Sequence, residues 1–141
     1  MKSVLLLIGF CCSVFLFAQK NQSYLSIGYT SICCGTPSEE PVINYIKQFQ
    51  KKNRLKEFEV LIQRGLGREG EFELYIGVDQ LSKAQKSRFI NGLQATLTTQ
   101  NSQRKPNKDG FVNFDEAQVL TSKDLSDFKN LTIYKNLKEE K

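Results

Sequence analysis

The sequence predicts an α+β domain in which two helices cover one face of an antiparallel sheet. Three observations carry that prediction. Apolar residues alternate along three separate runs, helix starts with capping signals follow the first and third of them, and a glycine-containing loop joins the second run to the third. The resulting order is strand, helix, strand, strand, helix.

The first strand covers residues 24–32, with Leu25, Ile27 and Tyr29 on one face at the two-residue period of a strand. Continuing that alternation turns Cys33 inward and Cys34 outward, while Gly35 and Pro37 bring the run to an end. A helix then starts in one of two frames. Either Thr36 caps it, with Pro37 at the first helical position and Glu39 three residues after the cap, or Ser38 caps it with Pro41 in the first turn. Val42, Ile43, Ile46 and Phe49 form its apolar stripe. Lys51 and Lys52 complement the negative end of the helix dipole before a stop near Asn53.

Phe58, Val60 and Ile62 share one face of the second strand, and Phe72, Leu74, Ile76 and Val78 share one face of the third. Gly65, Gly67 and Gly70 lie between them, which is the mark of an antiparallel hairpin. These glycines do not make a dinucleotide loop, because a strand follows them where that loop requires a helix. Leu61, Gln63 and Tyr75 fall on the opposite side of the sheet, near Glu57, Glu59 and Glu73. If the helices cover the Phe72 side, this is an open face that can take a ligand or another subunit.

The second helix is capped by Ser82, with Gln85 in capping-box spacing, and Phe89, Ile90, Leu93 and Leu97 mark its buried side. It ends around residues 98–101. A polar loop containing Pro106 follows. Residues 111–120 are a short strand or a helix entry, and Leu125, Phe128 and Leu131 anchor a C-terminal segment with a solvated Lys-Glu-Glu-Lys tail. These elements supply five-sixths of a ferredoxin-like sandwich, followed by a C-terminal strand or helix. The right-handed crossover rule sets the first two strands parallel, with room for another between them.

Lys2, the 14 apolar residues 4–17, Ala18 and the polar switch at Gln19 have the order of a secretory signal. The run is shorter than the roughly 18 to 20 residues that span a bilayer as a helix. Residues 1–18 are therefore read as a signal peptide and 19–141 as a single secreted or periplasmic domain, with no membrane association after cleavage. Cys11 and Cys12 leave with the signal. Only Cys33 and Cys34 remain, which excludes a framework of long-range disulfides. The chain has no histidine, which excludes His-based general-base chemistry, His-containing triads and His-containing zinc sites. Its net charge of +5 is spread among interleaved Lys, Glu and Asp, without the basic stripe of a nucleic-acid surface.

Two stretches hold candidate chemistry. Cys33 and Cys34 sit between the first strand and the first helix, where helix N–H groups stabilise thiolates. In that location the pair resembles the cysteines of the heavy-metal-associated domains, although here the two are adjacent and in that family two residues separate them. The resemblance implies a soft ion such as Cu(I) as ligand. The residues themselves equally allow a vicinal disulfide, or a pair without chemistry. Residues 105–116 resemble the calcium loop of an EF-hand, with Asn107, Asp109, Gly110, the Phe111 backbone, Asn113 and Glu116 at loop positions three, five, six, seven, nine and twelve. Lys105 stands where the first ligand is normally Asp. The alternative is a polar loop with an Asp-Gly turn leading into a strand.

The sequence thus leads to a non-enzymatic binding or interaction module with the Cys33–Cys34 loop as its candidate site and an unidentified protein or small molecule as its ligand. Thiol redox or soft-metal chemistry at the cysteines, and calcium binding through Asn107, Asp109, Asn113 and Glu116, are the alternatives. No cofactor is firmly implied.

Overall fold

The computed structural model describes residues 21–135. The signal assigned to residues 1–18 and the charged tail lie outside the described residues. In chain order the elements are β1 (Ser23–Thr30), α1 (Glu40–Asn53), β2 (Val60–Arg64), β3 (Phe72–Gly77), α2 (Lys83–Ser102), β4 (Phe111–Thr121), α3 (Ser122–Ser126) and β5 (Leu131–Ile133). Five antiparallel strands form one sheet in the order β4-β1-β3-β2-β5. Because β1 and β2 both pair antiparallel with β3, they run parallel to each other with β3 between them.

Side-chain alternation decides which face meets the helices. Leu25, Ile27 and Tyr29 of β1, Val60 and Ile62 of β2, and Phe72, Leu74 and Ile76 of β3 point to one side and are buried there. Against them lie Val42, Ile43 and Ile46 of α1 and Phe89, Leu93 and Leu97 of α2, each set at helical spacing. Phe89 is the hub of an aromatic cluster, with ring centroids 5.0 Å from Phe49, 5.1 Å from Phe58 and 5.4 Å from Tyr45. The Tyr45 hydroxyl donates to the Phe89 carbonyl at 2.8 Å, tying α1 to α2.

Several boundaries differ from those read in the sequence. The first strand stops at Thr30 rather than 32, so Ile32, Cys33 and Cys34 are exposed and Cys33 does not turn inward. The second strand begins at Val60, and Phe58 is buried ahead of it. α1 begins at Glu40 with no side-chain cap on its first turn, although the Ser38 hydroxyl accepts from the Glu40 N–H at 3.1 Å. The frame starting at Thr36 is therefore refused: residues 35–38 are part of the loop that carries the chain from the end of β1 to the start of α1. The capping box of α2 is present: Ser82 N–H donates to Gln85 at 2.9 Å and Gln85 N–H to the Ser82 hydroxyl at 3.2 Å.

The segment after α2 resolves into three elements. β4 is an 11-residue edge strand beside β1, followed by α3 and the short β5 on the far edge. α3 carries its own capping box, in which Thr121 and Asp124 bond each other's backbone. Its Leu125 is buried with Tyr24 and Tyr75 on the sheet face away from the long helices, and Leu61, Leu120, Phe128 and Leu131 pack around them. The face expected to be open at Leu61 and Tyr75 is thus closed by the chain's own C-terminal segment, because Leu125 and Phe128, three residues apart, share one side of it.

Candidate functional site

The other half of that outer face is not covered. Beyond Tyr24, which the C-terminal segment covers, the residues of β1 that point away from the core are Ser26, Gly28 and Thr30, all small and two of them hydroxylic. With Glu73 of β3 and Asn113 of β4 they floor a cleft of about 650 Å³. One wall is the β2–β3 loop, through Leu66, Gly67 and Glu71, and the other is β4, through Asp115 and Gln118.

A break in strand register makes the β4 wall. Ile27 pairs with Phe114 and Leu25 with Val119, so Asp115, Glu116, Ala117 and Gln118 together stand opposite Ser26 alone. Such a bulge bends the strand and leaves its extra residues unpaired. The Asp115 carboxylate accepts from the Ala117 N–H at 2.9 Å and holds the bend. In the opposite wall the Glu71 carboxylate accepts from the Glu69 N–H at 2.9 Å, and the Leu66 N–H donates to the Glu71 carbonyl at 3.2 Å.

Glu73 is fixed by two hydroxyls. Buried Ser26 donates to one carboxylate oxygen. Tyr75 lies 2.9 Å from the other and 2.7 Å from Gln63 Oε1, its single proton shared between those acceptors. Burial, and then the adjacent Glu73 charge, push the Tyr75 phenol well above its ordinary pKa, so it stays a donor. Each of the three cleft carboxylates therefore accepts from neutral groups, and none meets a basic side chain among the residues lining the cleft. In a chain of net charge +5, this cleft is acidic.

The two stretches singled out in the sequence meet at the neighbouring end of the sheet. Cys33 and Cys34 are joined as a disulfide, both exposed, with the Gly35 N–H donating to the Ser31 hydroxyl at 3.2 Å. Gly35, at φ of 100°, turns the chain where a side chain would be strained. α1 does not begin until Glu40, so the cysteines lie beyond the first turn in which a helix dipole acts. Cys34 and Pro37 line a pocket of about 270 Å³ together with Gln100, Arg104, Lys108 and Asp109. Gln100 donates to the Ser38 carbonyl at 2.7 Å across it. A Cβ on Gly110 would collide with the Thr30 carbonyl and Pro37, so only glycine lets the two loops close on each other.

The residues of the EF-hand-like stretch do not converge. Asp109 is occupied by its own turn, accepting from the Lys105 N–H at 2.7 Å. Asn107 is exposed on that turn, Asn113 lies on extended β4 donating to the Thr30 hydroxyl at 3.2 Å, and Glu116 is exposed in the bulge. A strand rises about 3.3 Å per residue, which carries Asn113 and Glu116 away from Asp109 instead of wrapping them around one ion. Among the described residues no group of three or more Cys, Asp or Glu is arranged to hold a metal.

The cleft itself was missed in the sequence. Its one legible signal was the small, polar outward set Ser26, Gly28 and Thr30 opposite Glu73; the bulge that builds its wall leaves no periodic trace. No protein-family model, no curated protein and no solved structure matches this chain.

Proposed function

We propose that this chain is a secreted or periplasmic, non-enzymatic binding module of ferredoxin-like fold that seats a cationic group, an ammonium or guanidinium, in the cleft on the outer face of its sheet. The strand order β4-β1-β3-β2, with α1 and α2 on one face, supports the fold reading, and β5 is an addition to its β2 edge. The observation that carries the binding reading is the composition of the cleft. Glu71, Glu73 and Asp115 surround a concave space whose other polar groups are Ser26, Thr30, Asn113 and Gln118, and no Lys or Arg lines it. A concave site lined by one sign of charge concentrates ligands of the opposite sign. Gly28 leaves the floor bare, so a side chain can lie flat against the β1 backbone. Among the described residues no helix is long and apolar enough to cross a membrane.

The test is an amide-shift titration with end-blocked Gly-Arg-Gly, using end-blocked Gly-Glu-Gly as control. The arginine peptide is expected to shift the amides of Gly28, Thr30, Asn113 and Asp115, and the glutamate peptide to leave them in place. Asp115→Asn and Glu71→Gln keep the oxygen that accepts each local hydrogen bond while removing the charge, and each should weaken binding about fivefold at low salt. Equal response to both peptides, or no response at millimolar concentration, would discard the reading.

A further inference from the structure

The cleft makes no use of the Cys33–Cys34 disulfide, and that bond has an arrangement that calls for its own account. A disulfide stabilises a fold chiefly by closing a long loop in the unfolded chain. Here it joins neighbours, with Cα atoms 3.8 Å apart, and closes almost nothing. It is not buried among the core residues either: both cysteines are exposed, in the loop that follows β1. Neither stability nor packing explains it. What the surroundings supply is access and charge: Cys34 opens on the 270 Å³ pocket whose charged side chains are Arg104, Lys108 and Asp109, two cations to one anion. Asp109 spends a carboxylate oxygen on the Lys105 N–H, and Arg104 reaches across to the Pro106 carbonyl at 3.2 Å, while exposed Lys108 stands at the rim.

We propose that Cys33–Cys34 is a thiol–disulfide exchange site whose co-substrate is a low-molecular-weight thiol bearing a carboxylate. The thiolate of that co-substrate attacks Cys34 Sγ from the pocket, forming a mixed disulfide, and the Cys33–Cys34 bond breaks with its electron pair on Cys33, which then takes a proton from water. A second thiolate attacks the co-substrate sulfur of the mixed disulfide, releasing the oxidised disulfide dimer of the co-substrate and a Cys34 thiolate that is protonated in turn. Two co-substrate thiols are oxidised, one protein disulfide is reduced, and the reverse sequence restores it. Lys108 and Arg104 draw in the carboxylate and hold it beside Cys34. This site is separate from the cation-binding cleft and does not depend on it.

The test uses the folded, oxidised protein and three thiols: glutathione, which is anionic, 2-mercaptoethanol, which is neutral, and cysteamine, which is cationic. Rates of reduction are read by acid quench, alkylation and intact mass, and compared at equal thiolate concentration. Glutathione is expected to react at least about fivefold faster than cysteamine at roughly 20 mM salt, the difference shrinking at about 500 mM as the charges are screened. Lys108→Glu should abolish or reverse the order without changing the circular dichroism spectrum. The reduced protein should unfold within about 2 °C of the oxidised one, since a loop this short contributes little. A disulfide that resists all three thiols until the protein is denatured, or one that reacts with cysteamine as fast as with glutathione, would overturn the proposal.

Discussion

The ring of Phe128 lies 5.7 Å from that of Tyr75, on the sheet face opposite the two long helices. This contact is how the C-terminal segment closes its half of that face, with Leu125 beside it. Phe128 is half-buried, so Phe128→Ala should cost about 2 kcal/mol, below the roughly 3 to 5 kcal/mol of a fully buried ring. A urea midpoint measurement reports the loss, and an unchanged midpoint would mean that the segment does not hold the face closed.

Four tyrosines make the fold sensitive to alkali. Burial, and then the hydrogen bond to Glu59, push Tyr24 up to about 12, and burial pushes Tyr45 up to about 12. Burial, helped by Glu39 for Tyr29 and by Glu73 for Tyr75, raises those two further. A phenol whose pKa is higher in the fold than in the unfolded chain stabilises the fold fully below the unfolded value, and that contribution is lost as pH rises beyond it. The tyrosine contribution is therefore level up to about pH 10 and falls above it, by up to about 1.4 kcal/mol per pH unit for each fully protected phenol. Phenolate absorbance at 295 nm should rise late and together with loss of the circular dichroism signal. Complete ionisation near pH 10 in a folded protein would contradict this.

Gly110 and Gly28 should respond oppositely to the same substitution. A methyl group at Gly110 meets the Thr30 carbonyl, which is backbone and cannot swing aside, and Gly110→Ala should destabilise by about 2 kcal/mol. At Gly28 the nearest atom to such a methyl is the Asn113 Cβ, at an ordinary contact of 3.8 Å. Gly28→Ala should leave stability within about 0.5 kcal/mol yet weaken the arginine peptide, because it raises the floor of the cleft. Thermal melts and the peptide titration separate the two effects.

The α+β architecture was legible where residue periodicity and local chemistry agreed. Phe72, Leu74 and Ile76 alternate without interruption, and Ser82 with Gln85 marks a helix start by its own hydrogen bonds, so both elements were read close to where they lie. β4 was harder. Val112, Asn113 and Phe114 alternate, but the bulge at residues 115–118 shifts the phase, so Val119 and Leu120 no longer continue the alternation. The disulfide was one of the states that adjacent cysteines allow. Its surroundings were not legible, because the pocket beside Cys34 is assembled from residues 100–110, far along the chain. The cleft was hidden for the same reason: Ser26, Glu73 and Asp115 come together only once strand order is known.

The attachment of α3 gives a prediction at the acid end. The Thr121 side chain and backbone both donate to the Asp124 carboxylate, each at 2.7 Å, and these bonds hold its pKa below the ordinary value of 3.8. A carboxyl with a depressed folded pKa stabilises the fold fully above its unfolded value, and the contribution disappears as pH falls through the folded one. The turn that fixes Leu125 on the sheet should therefore loosen below about pH 4, before the main core does, since no carboxylate is buried there among the described residues. Amide exchange at Thr121 and Asp124 should quicken there, relative to residues of β3 at the same pH. Asp124→Asn keeps an acceptor but cannot gain the proton, so the variant should show weaker protection at neutral pH and no further acid-dependent step. If wild-type protection at Thr121 instead tracked that of β3 down the whole pH range, the capping carboxylate would not be what holds α3 in place.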